Sequence, residues 1–157
     1  MQNHSKFMER AIELARIGIH ENHGGPFGCV IVKHGRIIGE GYNRVTIDRD
    51  PTAHAEIVAI RNACSKINDH QLTGCELYTT CEPCPMCLGA IYWARPKMIY
   101  YGSTRKDAAD AGFDDDFIYH QLHVEPAERK IKMIPLERPE ALLLFDDWRK
   151  KEDKKEY

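Results

Sequence analysis

Two stretches decide how this chain is read: Pro51-Thr52-Ala53-His54-Ala55-Glu56-Ile57-Val58-Ala59-Ile60 and Thr80-Cys81-Glu82-Pro83-Cys84-Pro85-Met86-Cys87, the second running on through Leu88 to Pro96. Each carries metal-binding side chains into the start of a helix. Pro51-Thr52 ends a loop and predicts a helix over residues 53–65, with Thr52 as its N-cap. A short strand over 76–80 leads to Pro83, and a helix follows over 85–94. Pro85 suits its first position, because the N–H it lacks would have no helical partner anyway. Cys84 and Cys87 are three apart and share one face of a single turn. The positive end of that helix favours thiolate over thiol. His54 brings an imidazole from the other helix, so a metal ion would pin two helix N-termini together. One imidazole and two thiolates can hold zinc with its fourth position open, which is the pattern of a catalytic site rather than a closed structural one.

Charge counting gives Glu56 a role. A zinc dication with two thiolates is formally neutral, so it should lower the pKa of a water less than the value of about 7 reached with neutral ligands. A base is then needed. Glu56, two residues after His54, can take the proton and return it to a substrate nitrogen and a leaving amine. Other uses of the cysteines stand beside this one. Adding Cys81 would close the site as a structural Cys₃His zinc centre, although Cys81 precedes Pro83 and should lie on the strand side. Cys81, Cys84 and Cys87 also have the spacing of an iron–sulfur run, but position 91, where the fourth cysteine would fall, is Ile. Cys29, Cys64 and Cys75 lie in or beside apolar elements and read as small core residues.

Working outward, Phe7, Ala11, Leu14 and Gly18 follow helical spacing and predict an amphipathic helix over residues 5–18. Residues 27–33 and 36–42 are β-rich runs separated by His34-Gly35, a hairpin signal. Further strands are expected over 98–101 and 132–135, and further helices over 114–122 and 139–150. A hairpin followed by alternating helix and strand implies an α/β fold in three layers, with a five-stranded mixed sheet between helices. Residues 1–157 are expected to form one domain.

The chain has 157 residues, enough to bury about 70% of the surface its unfolded form would expose. No run approaches the roughly 20 apolar residues of a membrane span. The N-terminal MQNHSKFMERAIELA mixes charge into its apolar positions and reads as mature sequence. Half of the six cysteines crowd into residues 81–87, which suits metal chemistry in a reducing compartment, and the expected location is the cytoplasm. Net charge is −2, and the basic cluster at the end of the chain, Arg149, Lys150, Lys151, Lys154 and Lys155, is interleaved with Glu152, Asp153 and Glu156. That is a solvated tail rather than a polyanion-binding stripe, so no nucleic-acid partner is expected.

GGPFG at 24–28, GYN at 41–43, PTAHAE at 51–56, CEPCPMCLGAIYWARPK at 81–97, DAADAGFDDDFIY at 107–119 and the final KKEY together resemble the cytidine-deaminase-like superfamily of zinc-dependent deaminases. Within it they resemble the bacterial branch that acts on guanine, over essentially the whole length. The zinc motif is shared by the family's deaminases, so only the later segments bear on substrate. The resemblance implies one zinc per subunit on His54, Cys84 and Cys87, proton transfer by Glu56, and hydrolysis of guanine to xanthine and ammonia. It implies that Asn43 hydrogen-bonds the base, although an asparagine there can equally end a strand with a turn. Phe27 and Trp93 would wall the base pocket, or be ordinary core. Asp115 would accept from the purine's N–H donors and assist proton transfer, while Asp114-Asp115-Asp116 also reads as a solvated helix start. The C-terminal helix and tail, about 139–157, would be exchanged in a domain-swapped homodimer, with Tyr157 covering the site. Composition alone reads that tail as a frayed end.

Three alternatives stay open at this level. Asn43-Arg44 reads like the tRNA adenosine deaminase branch, which would need a basic surface. A guanosine deaminase would use the same purine contacts. A zinc-stabilised binding module without catalysis would have no use for an unligated Glu56.

Overall fold

His34 and Gly35 both take left-handed backbone, with φ of 49° and 72°. A two-residue hairpin turn needs that conformation to match the twist of its strands, and here it closes β1 (Gly28–Lys33) on β2 (Arg36–Tyr42). The computed structural model describes residues 4–113 and 115–157. The chain forms two compact units, Met1–Asp115 and Asp116–Tyr157.

In the first unit β3 (Glu76–Cys81) runs antiparallel to β1 and parallel to β4 (Met98–Ser103), giving the order β2-β1-β3-β4. Among its described residues, five helices accompany the sheet: α1 (His4–His20), α2 (Val45–Asp48), α3 (Ala55–Ile67), α4 (Pro85–Ala94) and α5 (Arg105–Asp110). β1 is buried on both faces, which its continuous Cys29-Val30-Ile31-Val32 run allows. Val30 and Val32 meet Tyr78 and the α1 stripe Phe7, Ala11 and Leu14. Cys29 and Ile31 point the other way, into a core with Leu77, Ala55, Ala59 and Ala63 of α3, and Ile91 and Ala94 of α4. This makes a three-layer α/β architecture around a mixed sheet.

The contact between α3 and β2 is backbone against backbone. A Cβ on Gly41 would lie 2.4 Å from the Ala55 carbonyl oxygen and 2.6 Å from the Ala59 nitrogen. One on Gly39 would lie 2.5 Å from the Ala59 oxygen. Glycines on the strand and alanines one turn apart on the helix let the two elements touch, so α3 is held directly against the hairpin.

Several local expectations need correction. Among the described residues the sheet has four strands, not five. Residues 132–135 carry no regular secondary structure: Pro135 has no N–H to give a ladder, and the unit that contains them has no strand of its own for them to join. β1 starts at Gly28, leaving Phe27 just outside it. Thr52 does not cap α3. That position belongs to His54, and the Thr52 hydroxyl donates instead to Asp50 Oδ1 at 2.7 Å. α5, unforeseen, starts with a capping box in which Thr104 and Asp107 each bond the other's backbone N–H.

The second unit contains α6 (Asp116–His123), a 3-10 turn (Pro126–Glu128) and α7 (Arg138–Lys150). The expected start of α6 at Asp114 lies outside the described residues. The Lys130 N–H donates to Gln121 Oε1 at 2.7 Å, tying the connecting segment to α6. α7 has Pro139 and Glu140 in its first turn and Arg149 and Lys150 in its last, as the helix dipole prefers. None of these helices has a buried residue, and Leu143, Leu144 and Phe145 are largely exposed.

Candidate active site

His54 and Cys84 occupy equivalent positions. Each is the N-cap of its helix in extended conformation, and neither side chain caps. The polar group that a cap would turn back onto the helix is turned outward, and the two groups meet. His54 Nδ1 lies 3.6 Å from Cys84 Sγ and 3.5 Å from Cys87 Sγ, the latter fully buried in the first turn of α4. All three ligand atoms lie within 4.8 Å of one another. With zinc–sulfur bonds of about 2.3 Å and zinc–nitrogen bonds of about 2.0–2.1 Å, a tetrahedral ion sets nitrogen and sulfur roughly 3.6 Å apart. The residues fit zinc in both donor type and spacing. Cys81 stands outside the group. It ends β3 and its thiol donates to the Thr104 carbonyl oxygen at 3.6 Å, so the structure opposes a closed Cys₃His centre.

The two thiols share charge unequally. Donation from Cys87, helped by His54, lowers Cys84 to about 4. The same Cys84 thiolate, with burial, pushes Cys87 up. A dication would replace the shared proton. His54 is raised, chiefly by its bond to Cys84, with smaller contributions from the charges of Glu56 and Asp115.

Glu56 is 6% exposed, in the first turn of α3, and belongs to none of the ligand positions. Burial pushes its carboxyl above the ordinary range, and donors that include the Thr79 hydroxyl partly oppose this. Thr79 Oγ1 donates to Glu56 Oε1 at 3.0 Å, and Thr79 is fully buried. The sequence reading missed Thr79. Its signal was parity: Leu77 and Thr79 share a face of β3, and a hydroxyl facing a core needs a polar partner.

Asn43 is buried, and its turn role is visible. Its N–H donates to the Phe27 carbonyl at 3.0 Å, and its Oδ1 accepts from the Val45 N–H at 3.2 Å. Gly24 is what lets that side chain sit there, since a Cβ on it would come within 2.1 Å of Asn43 Oδ1. Phe27 is half-buried against the α3–α4 core and meets Phe113 edge-on, with ring centroids 5.0 Å apart. Phe113 was a second omission. The charge of Asp115 reaches both His54 and Cys81. Trp93 is 63% exposed on α4, and Tyr157, in the second unit, is 70% exposed.

Arg44 is not a loose cation. It makes two bonds to Asp48, at 2.7 and 2.8 Å, and donates to the Tyr42 hydroxyl at 3.0 Å. A guanidinium held this way is poorly placed to engage a phosphate backbone. Among the described residues no helix is long and apolar enough to cross a membrane.

Comparison with known proteins bears on the chemistry. The family model for the cytidine and deoxycytidylate deaminase zinc-binding region matches residues 1–103. The chain is 54% identical to the guanine deaminase of Bacillus subtilis over 155 residues, covering 99% of each chain. The crystal structure of that enzyme superimposes with a TM-score of 0.96 over 99% of both. A guanine deaminase structure from Nitrosomonas europaea is 34% identical, with a TM-score of 0.70, and spans 73% of this chain and 66% of its own. Similarity to the tRNA-specific adenosine deaminase of Haemophilus influenzae is 43% but spans 63% of this chain and 61% of that one.

Proposed function

This chain belongs to the cytidine and deoxycytidylate deaminase zinc-binding family, and on that premise we propose that it is a guanine deaminase, hydrolysing guanine to xanthine and ammonia with one zinc ion per chain. The observation that carries the substrate is identity across 99% of both chains to an enzyme of that name, well past the residue 103 at which the family region ends.

His54, Cys84 and Cys87 hold the ion. When bound, zinc would supply Lewis-acid activation, lowering the pKa of a water part of the way, with Glu56 as the base that completes its deprotonation. Glu56 does the proton work. It accepts a proton from the attacking water, passes it to a ring nitrogen of the base, and delivers the second proton to the amine that leaves as ammonia. Water adds at the amino-bearing carbon and the C–N bond breaks, so guanine and water become xanthine and ammonia. Asn43 offers its amide to the base. Asp115, an acceptor, answers the ring N–H and exocyclic amine that guanine presents. Phe27 and Trp93 flank the flat ring. The absence of a disulfide among the six cysteines suits the reducing cytoplasm, where we place the protein.

An ammonia-release assay across guanine, guanosine, adenine, cytosine, cytidine and a tRNA anticodon stem tests the substrate. Guanine should be turned over fastest. Asp115→Asn should sharply reduce that rate, because an amide can present a donor where the purine needs an acceptor. Faster release from guanosine or from the anticodon stem would replace the free-base reading.

The working form we propose is a homodimer in which residues 139–157 are exchanged and Tyr157 covers the partner's site. The exposed Leu143, Leu144 and Phe145 of α7 support this, since a monomer rarely leaves such a cluster uncovered. A protein lacking Lys154 to Tyr157, mixed with a Glu56→Gln protein, should regain activity, because the intact Glu56 site can receive the other chain's tail. No recovery in a mixture shown to contain heterodimers would mean the tail acts on its own chain.

A further inference from the structure

Thr79 lies on the sheet face that looks toward α3, fully buried, opposite Cys29 in the ladder between β1 and β3. Neighbouring positions on that face, Leu77 and Ile31, are apolar, and a valine would fill the same space as threonine. The hydroxyl has one proton to give and gives it to Glu56 Oε1 at 3.0 Å. A carboxylate's two oxygens are chemically alike and the last torsion of a glutamate is soft, so something outside the residue must decide which oxygen handles protons.

We propose that Thr79 is a positioning residue for the deamination reaction, its hydroxyl holding Glu56 Oε1 so that Oε2 alone carries the proton traffic. The inference rests on the reading of Glu56 as proton shuttle. The bond to Oε1 survives both halves of the cycle. When Glu56 is charged, Oε1 accepts from Thr79. When Glu56 is protonated on Oε2, Oε1 accepts still. The carboxyl plane therefore keeps its orientation while its charge changes, and no reorganisation interrupts the transfers. The hydroxyl bonds to Glu56, and Thr79 is not one of the metal-binding residues, so it should affect the rate of the chemical step and leave binding alone.

Thr79→Val removes the hydroxyl at constant shape. Losing a hydrogen bond to a charged group should lower kcat about tenfold to hundredfold. KM should stay within about threefold, and the protein should keep its zinc. Thr79→Ser, which restores the hydroxyl, should recover kcat to within about threefold. In a Glu56→Gln background Thr79→Val should cost no further activity, because the two act as one unit. Unchanged kcat in Thr79→Val, or an equal loss in both backgrounds, overturns the proposal while leaving Glu56 as the shuttle. Near-normal turnover in Glu56→Gln alone overturns the shuttle reading itself. If the valine protein does not fold, Thr79→Ala takes its place, with the same loss expected and the same serine rescue.

Discussion

Replacing Glu56 with Gln should nearly abolish turnover while the protein keeps its fold and its metal. A single group that transfers protons typically contributes about 10²–10⁴-fold, and in the proposed mechanism Glu56 serves more than one transfer, so a fall at or above the upper figure is expected. The structure makes the substitution clean. Glu56 is buried in the first turn of α3, its carboxyl stands outside the ligand set, and Gln has the same shape and can still accept from Thr79. Ammonia release reads the rate, and elemental analysis of the same sample reads the zinc. A Gln protein with near-normal kcat would mean that the proton passes elsewhere. Loss of zinc together with rate would mean that Glu56 belongs to the metal site.

The second large effect concerns the ligands. Cys84→Ala and Cys87→Ala should each remove the metal, extinguish activity and lower the melting temperature, whereas Cys81→Ser should keep about one zinc per chain. The contrast follows from position. Cys84 and Cys87 face His54 from the first turn of α4, whereas Cys81 turns its thiol to the Thr104 carbonyl. Stability and activity fall together because the ion joins the starts of α3 and α4, and binding energy at such a site is also folding energy. Chelation of the wild-type protein should reproduce the stability loss without any substitution. If Cys81→Ser empties the site as fully as Cys84→Ala, a closed structural centre is correct.

What could be read from the residues was whatever depends on neighbours in the chain. Pro85 at the start of α4, the His34-Gly35 turn and the α1 stripe through Phe7, Ala11 and Leu14 each rest on local geometry, and each is present. The metal group was legible because its ligands sit at helix starts whose positions are local too. What escaped depended on distant partners. A β-rich run at 132–135 becomes a strand only when another strand accepts it, and its own residues do not say whether one will. The cap of α3 failed for a different reason. Thr52 has the better capping chemistry, but the position went to His54 because a ligand had to stand there, an instance of local preference yielding at a functional site. Thr79 escaped because a lone threonine in a strand of β-formers looks ordinary until the opposite helix is in place.

The seating of α3 on β2 has a consequence for anyone who would alter this protein. Helix and hairpin touch at Gly39 and Gly41 against the backbone of Ala55 and Ala59, with only the Cβ atoms of Val58 and Ala63 beside them and no flexible side-chain end to yield. The N-terminal end of that helix bears both His54 and Glu56, and β2 ends beside Asn43. The metal-binding imidazole, the proposed proton carrier and the proposed substrate contact are thus indexed to one rigid mount. Directed evolution of substrate preference should therefore find its tolerated changes in the segment around Phe113 and Asp115 and near the tail. Libraries that vary the glycines of β2 should return proteins that are lost whole, rather than proteins retuned.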